Sequence, residues 1–383
     1  IEISGVEDNS ANAGSVVPHI SIRDSYIEPT NVTILLTTGK GVAADISPDI
    51  TTALTDGGFL YTLNGLDAKP DDIYYLTVNA ADKAGNVSEL TYRFSLNRRG
   101  SAYDLTDLAK FREHYYNSYK DLEDIKIVEM NVDKVEEFTM YLSHNAEIIY
   151  GKNGSRPLPQ DGDQTRDAVL YSVDVSGNEN TGYVYTYTVY RENFAREGIY
   201  RMGIYSKDRA GNEVNNLLKQ NGEEIQFAID NTIPRVMIDG VENNEIYDVS
   251  SREVRVVADD NFKLAEAELT LINKDGEVLE SWNYFDLVEK EGKTAVITIK
   301  EHNEEVSLLY RAVDAAGNEV ATLQGEKEAK ADFLVTTDKF VQLVNKPAKT
   351  PIGRGIVIVL AGSLAGMALI LAFLKKAFLK KRK

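Results

Sequence analysis

The sequence predicts an all-β protein: three tandem antiparallel β-sandwiches, followed by a single transmembrane α-helix. Three observations lead to this prediction: a pentapeptide that recurs at domain-sized spacing, strands of alternating polarity beside its copies, and an uncharged run of 20 residues near the C-terminus. With 43% hydrophobic residues and 21 tyrosines, the chain has enough apolar surface to bury several cores.

The pentapeptide Asp-x-Ala-Gly-Asn occurs at Asp82–Asn86, Asp208–Asn212 and Asp314–Asn318, with spacings of 126 and 106 residues. Glycine and asparagine tolerate a positive φ, and a short aspartate side chain can accept hydrogen bonds from backbone amides. Each copy therefore predicts the turn of a β-hairpin, with a ligand contact as the alternative role. The turn positions are Asp82, Gly85, Asn86, Asp208, Gly211, Asn212, Asp314, Gly317 and Asn318.

The starts of the modules repeat as well. The segment ISGVEDNS at residues 3–10 parallels IDGVENNE at residues 238–245. Residues 19–36, 125–142 and 254–271 form a second set of parallel segments, each of them strand-like. Short strands, turn signals and a module length of roughly 100 residues indicate an antiparallel β-sandwich.

These module starts, the hairpin motif and the Asp-Asn-Thr-Ile-Pro junction at Asp230–Pro234 resemble the bacterial immunoglobulin-like repeats of Gram-positive cell-surface proteins. The resemblance covers residues 1 to about 337 and implies three immunoglobulin-like domains on a cell surface. Such repeats are similar among adhesins, stalks and wall enzymes, so the resemblance implies fold and location more than activity.

The predicted organisation has six parts. They are immunoglobulin-like domains at 1–97, 98–232 and 233–337, a tether at 338–354, a transmembrane helix at 355–374 and a cytoplasmic basic tail at 375–383.

The second module is predicted to open with a helical segment. Leu105, Leu108, Phe111, Tyr115 and Tyr119 approximate one stripe of a helix, which predicts a short helix packed at the domain junction. Alternatively, the tyrosines of this segment present an aromatic patch to a ligand such as a sugar.

A long exposed loop is predicted in the second module at residues 151–167, which contain two prolines and three glycines. Long loops at the ends of sandwiches are where binding evolves most readily, so this loop is the favoured binding region. Asp161, Asp163 and Asp167 loosely resemble a calcium loop but lack the EF-hand pattern. We therefore expect no cofactor, with calcium as the alternative.

The run from Gly355 to Leu374 is long enough to cross a hydrocarbon core about 30 Å thick. Lys375 and Lys376 open a block of six cations in nine residues, which places the C-terminus in the cytoplasm and the modules outside. A buried core helix is the alternative. The tether has no LPxTG-like pentapeptide, which favours retention in the membrane over covalent transfer to the cell wall.

Composition narrows the environment further. The formal charge is −18, although the last thirty residues contribute seven positive charges and no acid. Such acidity argues against nucleic acid or anionic lipid as a partner. There is no cysteine, which suits a bacterial surface better than an animal one. The chain starts at Ile1 without a signal peptide, so we expect it to be the C-terminal piece of a longer protein.

Motifs for catalysis are missing from the sequence. The four histidines, His19, His114, His144 and His302, are dispersed and give a zinc site no support. No nucleophile elbow, P-loop or dinucleotide fingerprint follows a strand, so we expect no enzymatic activity. The single Trp282 lies in a strand-like segment and is expected to pack there, with a sugar platform as the alternative.

The predicted function is a membrane-anchored stalk that displays an upstream region, with the lipid bilayer and the surrounding cell wall as its partners. The first alternative is an adhesin whose modules bind a host or environmental protein or glycan. The second is a surface enzyme whose catalytic domain precedes Ile1.

Overall fold

The computed structural model describes residues 1–150, 156–157, 171–220, 222–288, 292–322 and 331–344. Within those ranges the chain consists of β-strands, short 3-10 turns and two α-helices, α1 (Tyr284–Leu287) and α2 (Lys339–Val344), so the all-β prediction is confirmed. The chain divides into two compact units. Unit one comprises Ile1–His114 and Leu122–Ala228, and unit two comprises Tyr115–Asp121 and the chain from Ile229.

The first module is a sandwich of two sheets. Its strands are β1 (Glu2–Ser4), β2 (Ser10–Asn12), β3 (His19–Arg23), β4 (Ile27–Thr38), β5 (Ala43–Ala44), β6 (Ile50–Thr55), β7 (Gly58–Leu63), β8 (Asp72–Asp82) and β9 (Val87–Leu96). One sheet has the order β1-β3-β7-β6 and the other β2-β9-β8-β4-β5, with β2 parallel to β9. Ile20 and Ile22 of the first sheet share a core with Leu36, Leu76 and Phe94 of the second. Alternate residues point inwards because side chains alternate between the faces of a strand.

The second module has a core rich in aromatic rings. Its strands are β10 (Ala102–Asp104), β11 (His114–Tyr116), β12 (Ile125–Asn131), β13 (Val135–His144), β14 (Glu147–Tyr150), β15 (Arg156–Pro157), β16 (Tyr171–Asn178), β17 (Gly182–Val189), β18 (Gly198–Asp208), β19 (Glu213–Leu217), β20 (Lys219–Gln220), β21 (Glu223–Glu224) and β22 (Gln226–Ile229). The sheet β10-β12-β17-β16 faces a sheet that contains β22-β18-β13-β14 in that order. Phe138 and Tyr187, one from each sheet, stack with ring centroids 4.4 Å apart, and both are buried.

The opening of the second module differs from the predicted helix. A 3-10 turn at Thr106–Phe111 buries Leu108 and Phe111, and strand β11 follows. Glu113 has a φ of 52°, in the left-handed region, which ends the helical path before the tyrosines. The prediction of one helix over this stripe is therefore wrong. Tyr115, predicted either to continue the helix or to form an aromatic patch, is half-buried, with its ring 6.4 Å from that of Phe262 within unit two.

The third module repeats the sandwich. Its strands are β23 (Arg235–Asp239), β24 (Glu245–Tyr247), β25 (Ser251–Asp259), β26 (Leu264–Asn273), β27 (Val278–Asn283), β28 (Thr294–Lys300), β29 (Val306–Asp314), β30 (Glu319–Ala321) and β31 (Ala331–Val335). The sheet β23-β25-β28 faces β24-β31-β29-β26-β27, with β24 parallel to β31. Val254, Ile297, Leu308 and Phe333 lie in the shared core, and Trp282 on β27 packs against it half-buried. Packing is the role that the sequence predicts for this tryptophan.

Several predicted features lie outside the described residues. They are most of the loop 151–167 with Asp161, Asp163 and Asp167, the later part of the tether, and the membrane anchor with Gly355, Leu374, Lys375 and Lys376. The described part of the tether includes α2. Neither helix in the described ranges has the length and apolarity needed to cross a bilayer.

The three pentapeptides close three β-hairpins with the same hydrogen bonds: β8–β9, β18–β19 and β29–β30. In each turn the backbone N–H of the asparagine donates to one aspartate oxygen, and the asparagine side chain donates to the other. The backbone bonds measure 2.8 to 2.9 Å and the side-chain bonds 2.7 to 2.9 Å. The glycines before the asparagines have φ between 86° and 90°, which explains why glycine occupies this position.

We expect Gly85→Ala to lower the free energy of unfolding of the first module by about 1–2 kcal/mol, because an L-residue is strained at a φ of 90°. A Cβ at Gly85 would meet no atom within 4 Å, so the cost would come from the backbone alone. Gly14→Ala is the matched control, since Gly14 has equally open surroundings without a positive φ. Hydrogen exchange of β8 and β9 measures the effect. Equal exchange in the two variants would contradict it.

Candidate cation site in the third module

Three aspartates meet at one end of the third module. Asp230 follows β22 and opens the linker to β23, Asp260 follows β25, and Asp314 ends β29 and starts the third hairpin. One carboxylate oxygen from each lies within 4.8 Å of those from the other two. All three residues belong to unit two. The sandwich therefore gathers three carboxyl groups from segments that are far apart in the sequence.

Local turns orient the three carboxylates. Each accepts hydrogen bonds from backbone N–H groups that follow it in the chain, as short aspartate side chains do in turns. The donors are Thr232 to Asp230 Oδ1 (3.2 Å), Phe262 and Lys263 to Asp260 Oδ2 (2.9 and 3.0 Å), and Ala316 and Asn318 to Asp314 Oδ1 (both 2.8 Å). Asp230 and Asp260 each use one oxygen for these bonds, which is Oδ1 in Asp230 and Oδ2 in Asp260.

The group is buried, and its charge is not balanced by any described cation. Asp230 and Asp314 are 0% and 2% exposed, and Asp260 is half-buried. Asp230 Oδ2 and Asp260 Oδ1 are buried without a hydrogen-bond partner among the described residues. No described lysine or arginine forms an ion pair with any of the three. Burying unpaired carboxylates is costly, so the site favours a proton or a cation.

The pKa values of Asp230 and Asp260 are raised for the same reason. Burial, with the nearby carboxylates of Asp260 and Asp314 adding to it, raises the pKa of Asp230 to about 7, against the lowering effect of the Thr232 N–H and the Asn261 side chain. Burial also raises the pKa of Asp260, again with Asp314 adding to the effect. Near neutral pH, the group therefore either holds a proton or carries a buried negative charge. A bound cation would offset the free-energy cost of that charge.

The hairpin motif also holds the linker that leads into the module. Asn318 Nδ2 donates to the backbone oxygen of Asp230 at 2.7 Å and to Asp314 Oδ2 at 2.7 Å. On the other side, the N–H of Asp230 donates to the Tyr116 oxygen at 2.8 Å. Asp230 in the linker is thus bonded to the turn that contains Asp314.

The donor set suits a hard divalent cation. Carboxylate oxygens are preferred by Ca²⁺ and Mg²⁺, whereas zinc sites are built mainly from cysteine and histidine. Calcium takes six to eight oxygens, so water or further oxygens would complete a shell that begins with Asp230, Asp260 and Asp314.

Of the three aspartates, the sequence predicts a role only for Asp314, as a turn residue. Asp314, Gly317 and Asn318 are predicted as turn residues, and they form the third hairpin turn. Asp230 is predicted only as part of a junction, and Asp260 is not singled out at all. The available signal is that each of the three lies where a strand ends, which puts them at one end of a sandwich.

The equivalent turn of the first module has a simpler environment. Asp82, Gly85 and Asn86 form its hairpin, with Asp82 half-buried and the other two exposed. The turn of the second module, Asp208, Gly211 and Asn212, lies instead against the first module. There Asn212 Nδ2 donates to the backbone oxygen of Asn97 at 2.6 Å. The second and third turns thus each hold a linker: residues 97–100 between the first and second modules, and residues 230–234 between the second and third.

No family model and no curated protein matches the sequence. Similar solved structures include a tetra-tandem repeat from the extending region of a large adhesion protein, at 14% identity and a TM-score of 0.30, over 85% of this chain and 71% of that chain. A structure from a 1.5-MDa bacterial ice-binding adhesin matches at 13% identity and a TM-score of 0.27, over 88% of this chain and 97% of that chain. A three-immunoglobulin-domain variant of titin matches at 9% and 0.33, over 86% and 95%. At these values none of them defines a function for this chain.

Without metal, unit two should become less stable as the pH rises from 5 to 8. The folded state keeps the Asp230 proton up to about pH 7, while the unfolded chain loses it near pH 3.8, the ordinary pKa of an aspartate. This stabilisation, complete below pH 3.8, is lost as the pH rises through 7, by at most about 1.4 kcal/mol per pH unit. Asp230→Asn should flatten the dependence.

Fluorescence of Trp282, which is the single tryptophan and lies in unit two, can follow the thermal unfolding in EDTA. Asp239→Asn, which alters an exposed carboxylate on β23, is the control. An unchanged slope in the Asp230→Asn variant would contradict the assignment.

Proposed function

We propose that this chain is the membrane-proximal stalk of a bacterial cell-surface protein, in which three immunoglobulin-like modules carry an upstream region away from the membrane. The observation that carries the proposal is that two linkers are each held by the hairpin of the module that follows. Asn212 bonds the carbonyl of Asn97, and Asn318 bonds that of Asp230. A spacer needs linkers that are fixed in this way, because free linkers coil and shorten the reach.

The location rests on the sequence. The uncharged run 355–374 and the basic residues after it support one membrane span, with the modules outside and the tail in the cytoplasm. The acidic character of the modules supports an exposed protein that stays soluble and does not bind nucleic acid. The lipid bilayer and the cell wall are then its immediate surroundings.

A divalent cation, Ca²⁺ in the first place, belongs to the same proposal as a structural ligand. Asp230 would hold it from the linker, and Asp260 and Asp314 would hold it from the ends of β25 and β29. The cation would neutralise the buried carboxylates and fasten the linker to the sandwich. No residue of the group would act on a substrate.

The adhesin alternative depends on residues 151–167, most of which lie outside the described residues, so it stays a prediction from sequence. An enzyme upstream of Ile1 likewise stays a prediction.

The membrane anchor can be tested by expressing the chain behind an export signal in a Gram-positive host, with one epitope inserted after Gly14 and another after Lys383. We expect protease added to intact cells to destroy the first epitope and spare the second. Deleting 355–374 should release the protein into the medium. Retention of the deleted form by membranes would contradict the proposed anchor.

We expect Ca²⁺ to raise the thermal unfolding temperature of unit two, followed by Trp282 fluorescence at pH 7.5. At a concentration of 100 times Kd the added stability is about 2.7 kcal/mol. Asp260→Asn should remove most of this response, and Asp239→Asn should leave it intact. An unfolding temperature that is the same in EDTA and in millimolar Ca²⁺ would refute the cation site without bearing on the membrane anchor.

A further inference from the structure

The linker between the first two modules is held by an arrangement that matches the aspartate group position by position. Asn97 corresponds to Asp230, because each offers its backbone oxygen to the asparagine of the following hairpin. Asp208 corresponds to Asp314, because each opens its hairpin and bonds that asparagine.

The third pair is Asn131 and Asp260. Each lies three residues before a lysine whose carbonyl accepts the N–H of the second hairpin residue. Those bonds run from Arg209 to Lys134 at 3.0 Å and from Ala315 to Lys263 at 2.8 Å. The first linker therefore has two amides and one carboxylate where the second has three carboxylates.

The amides bond directly to each other and to the remaining carboxylate. Asn97 Nδ2 donates to Asn131 Oδ1 and to Asp208 Oδ2, both at 2.8 Å, and Asn131 Nδ2 donates to Asp208 Oδ2 at 3.1 Å. Asn212 Nδ2 adds a bond to the same oxygen at 2.9 Å. Asn97, Asn131 and Asp208 are 1%, 5% and 2% exposed. Three N–H donors thus stabilise one buried negative charge, as a cation would.

Further contacts hold the first two modules together inside unit one. Gly39 lies so close to Asn180 that a Cβ would come within 1.9 Å of its backbone oxygen. Arg93 donates to the Glu179 oxygen, and Ser95 donates to the buried Asp133. The polar atoms at this junction find most of their partners within the protein. One exception is Asn97 Oδ1, which is buried without a partner among the described residues. Asn97 is the residue that corresponds to Asp230.

We propose that Asn97, Asn131 and Asp208 form a cation-independent counterpart of the aspartate group, so that the first linker is held without metal and the second is held fully only with metal. The inference rests on the proposed cation site of the third module. Two exchanges of aspartate for asparagine, which replace two carboxylate oxygens with N–H donors, are sufficient to account for the difference.

Hydrogen exchange of the full chain in mild detergent tests the proposal. Exchange is measured in EDTA and in millimolar Ca²⁺ on the peptides that cover the two linkers, Asn97–Gly100 and Asp230–Pro234. In the wild type, we expect Ca²⁺ to leave the first linker unchanged and to slow the second about tenfold or more. In Asn97→Asp/Asn131→Asp, the first linker should exchange faster in EDTA and be slowed by Ca²⁺.

Two results would overturn the inference. One is a first linker that Ca²⁺ slows in the wild type, because Asn97 and Asn131 would then already belong to a cation site. The other is an Asn97→Asp/Asn131→Asp variant whose first linker exchanges in EDTA as slowly as in the wild type, because the amides would then contribute nothing. A wild-type second linker that ignores Ca²⁺ would instead refute the cation site of the third module.

The reciprocal variant decides the matter if the first one does not fold. Asp230→Asn/Asp260→Asn should slow exchange of the second linker in EDTA, relative to the wild type, and remove its response to Ca²⁺. Fast exchange of that linker in EDTA would overturn the inference. Asp239→Asn controls for the loss of a charge in the same unit, and its two linkers should exchange as in the wild type.

Discussion

The hydrogen bond from the last residue of the pentapeptide to the preceding linker is the interaction on which the position of each of the two linkers depends. Asn212 and Asn318 each close their own turn through an aspartate and reach a linker carbonyl with the same amide group. One amide can do both because its two N–H groups point in different directions. Many other turns could close the hairpin of a single domain. This turn also bonds the linker to the preceding module, a partner that only a tandem array provides.

Burial gives the same scaffold two electrostatic outcomes. At the first linker, one carboxylate, that of Asp208, receives three side-chain N–H donors. At the second, Asp230 and Asp260 have oxygens without described partners, and their pKa values are raised. The hairpin hydrogen bonds at the two linkers correspond, so the difference lies in the side chains, which are Asn97 and Asn131 at the first and Asp230 and Asp260 at the second. We therefore infer that replacing one carboxylate oxygen with an amide nitrogen in each of two residues is enough to make the stability of a linker independent of a bound cation.

The repeat, the three hairpins and the inward faces of strands such as β9 could be predicted from the sequence, because they depend on residues close together in the chain. The helix predicted over Leu105–Tyr119 failed because apolar spacing does not reveal the left-handed backbone at Glu113. The aspartate group could not be predicted, since 60 acidic residues leave none distinctive until the sandwich brings three together. Register and strand ends, which sequence patterns define least well, determine that meeting.

The parallel pairing of β2 with β9 and of β24 with β31 has a mechanical consequence. In the first and third modules, a strand near the beginning lies beside the last strand and runs in the same direction. Ser10 is opposite Phe94 in the first, and Glu245 is opposite Phe333 in the third. Tension on the two ends of a module pulls these neighbours in opposite directions along their length. Their hydrogen bonds are loaded together in shear and do not open one after another, so the first and third modules are built to resist being pulled apart from their ends.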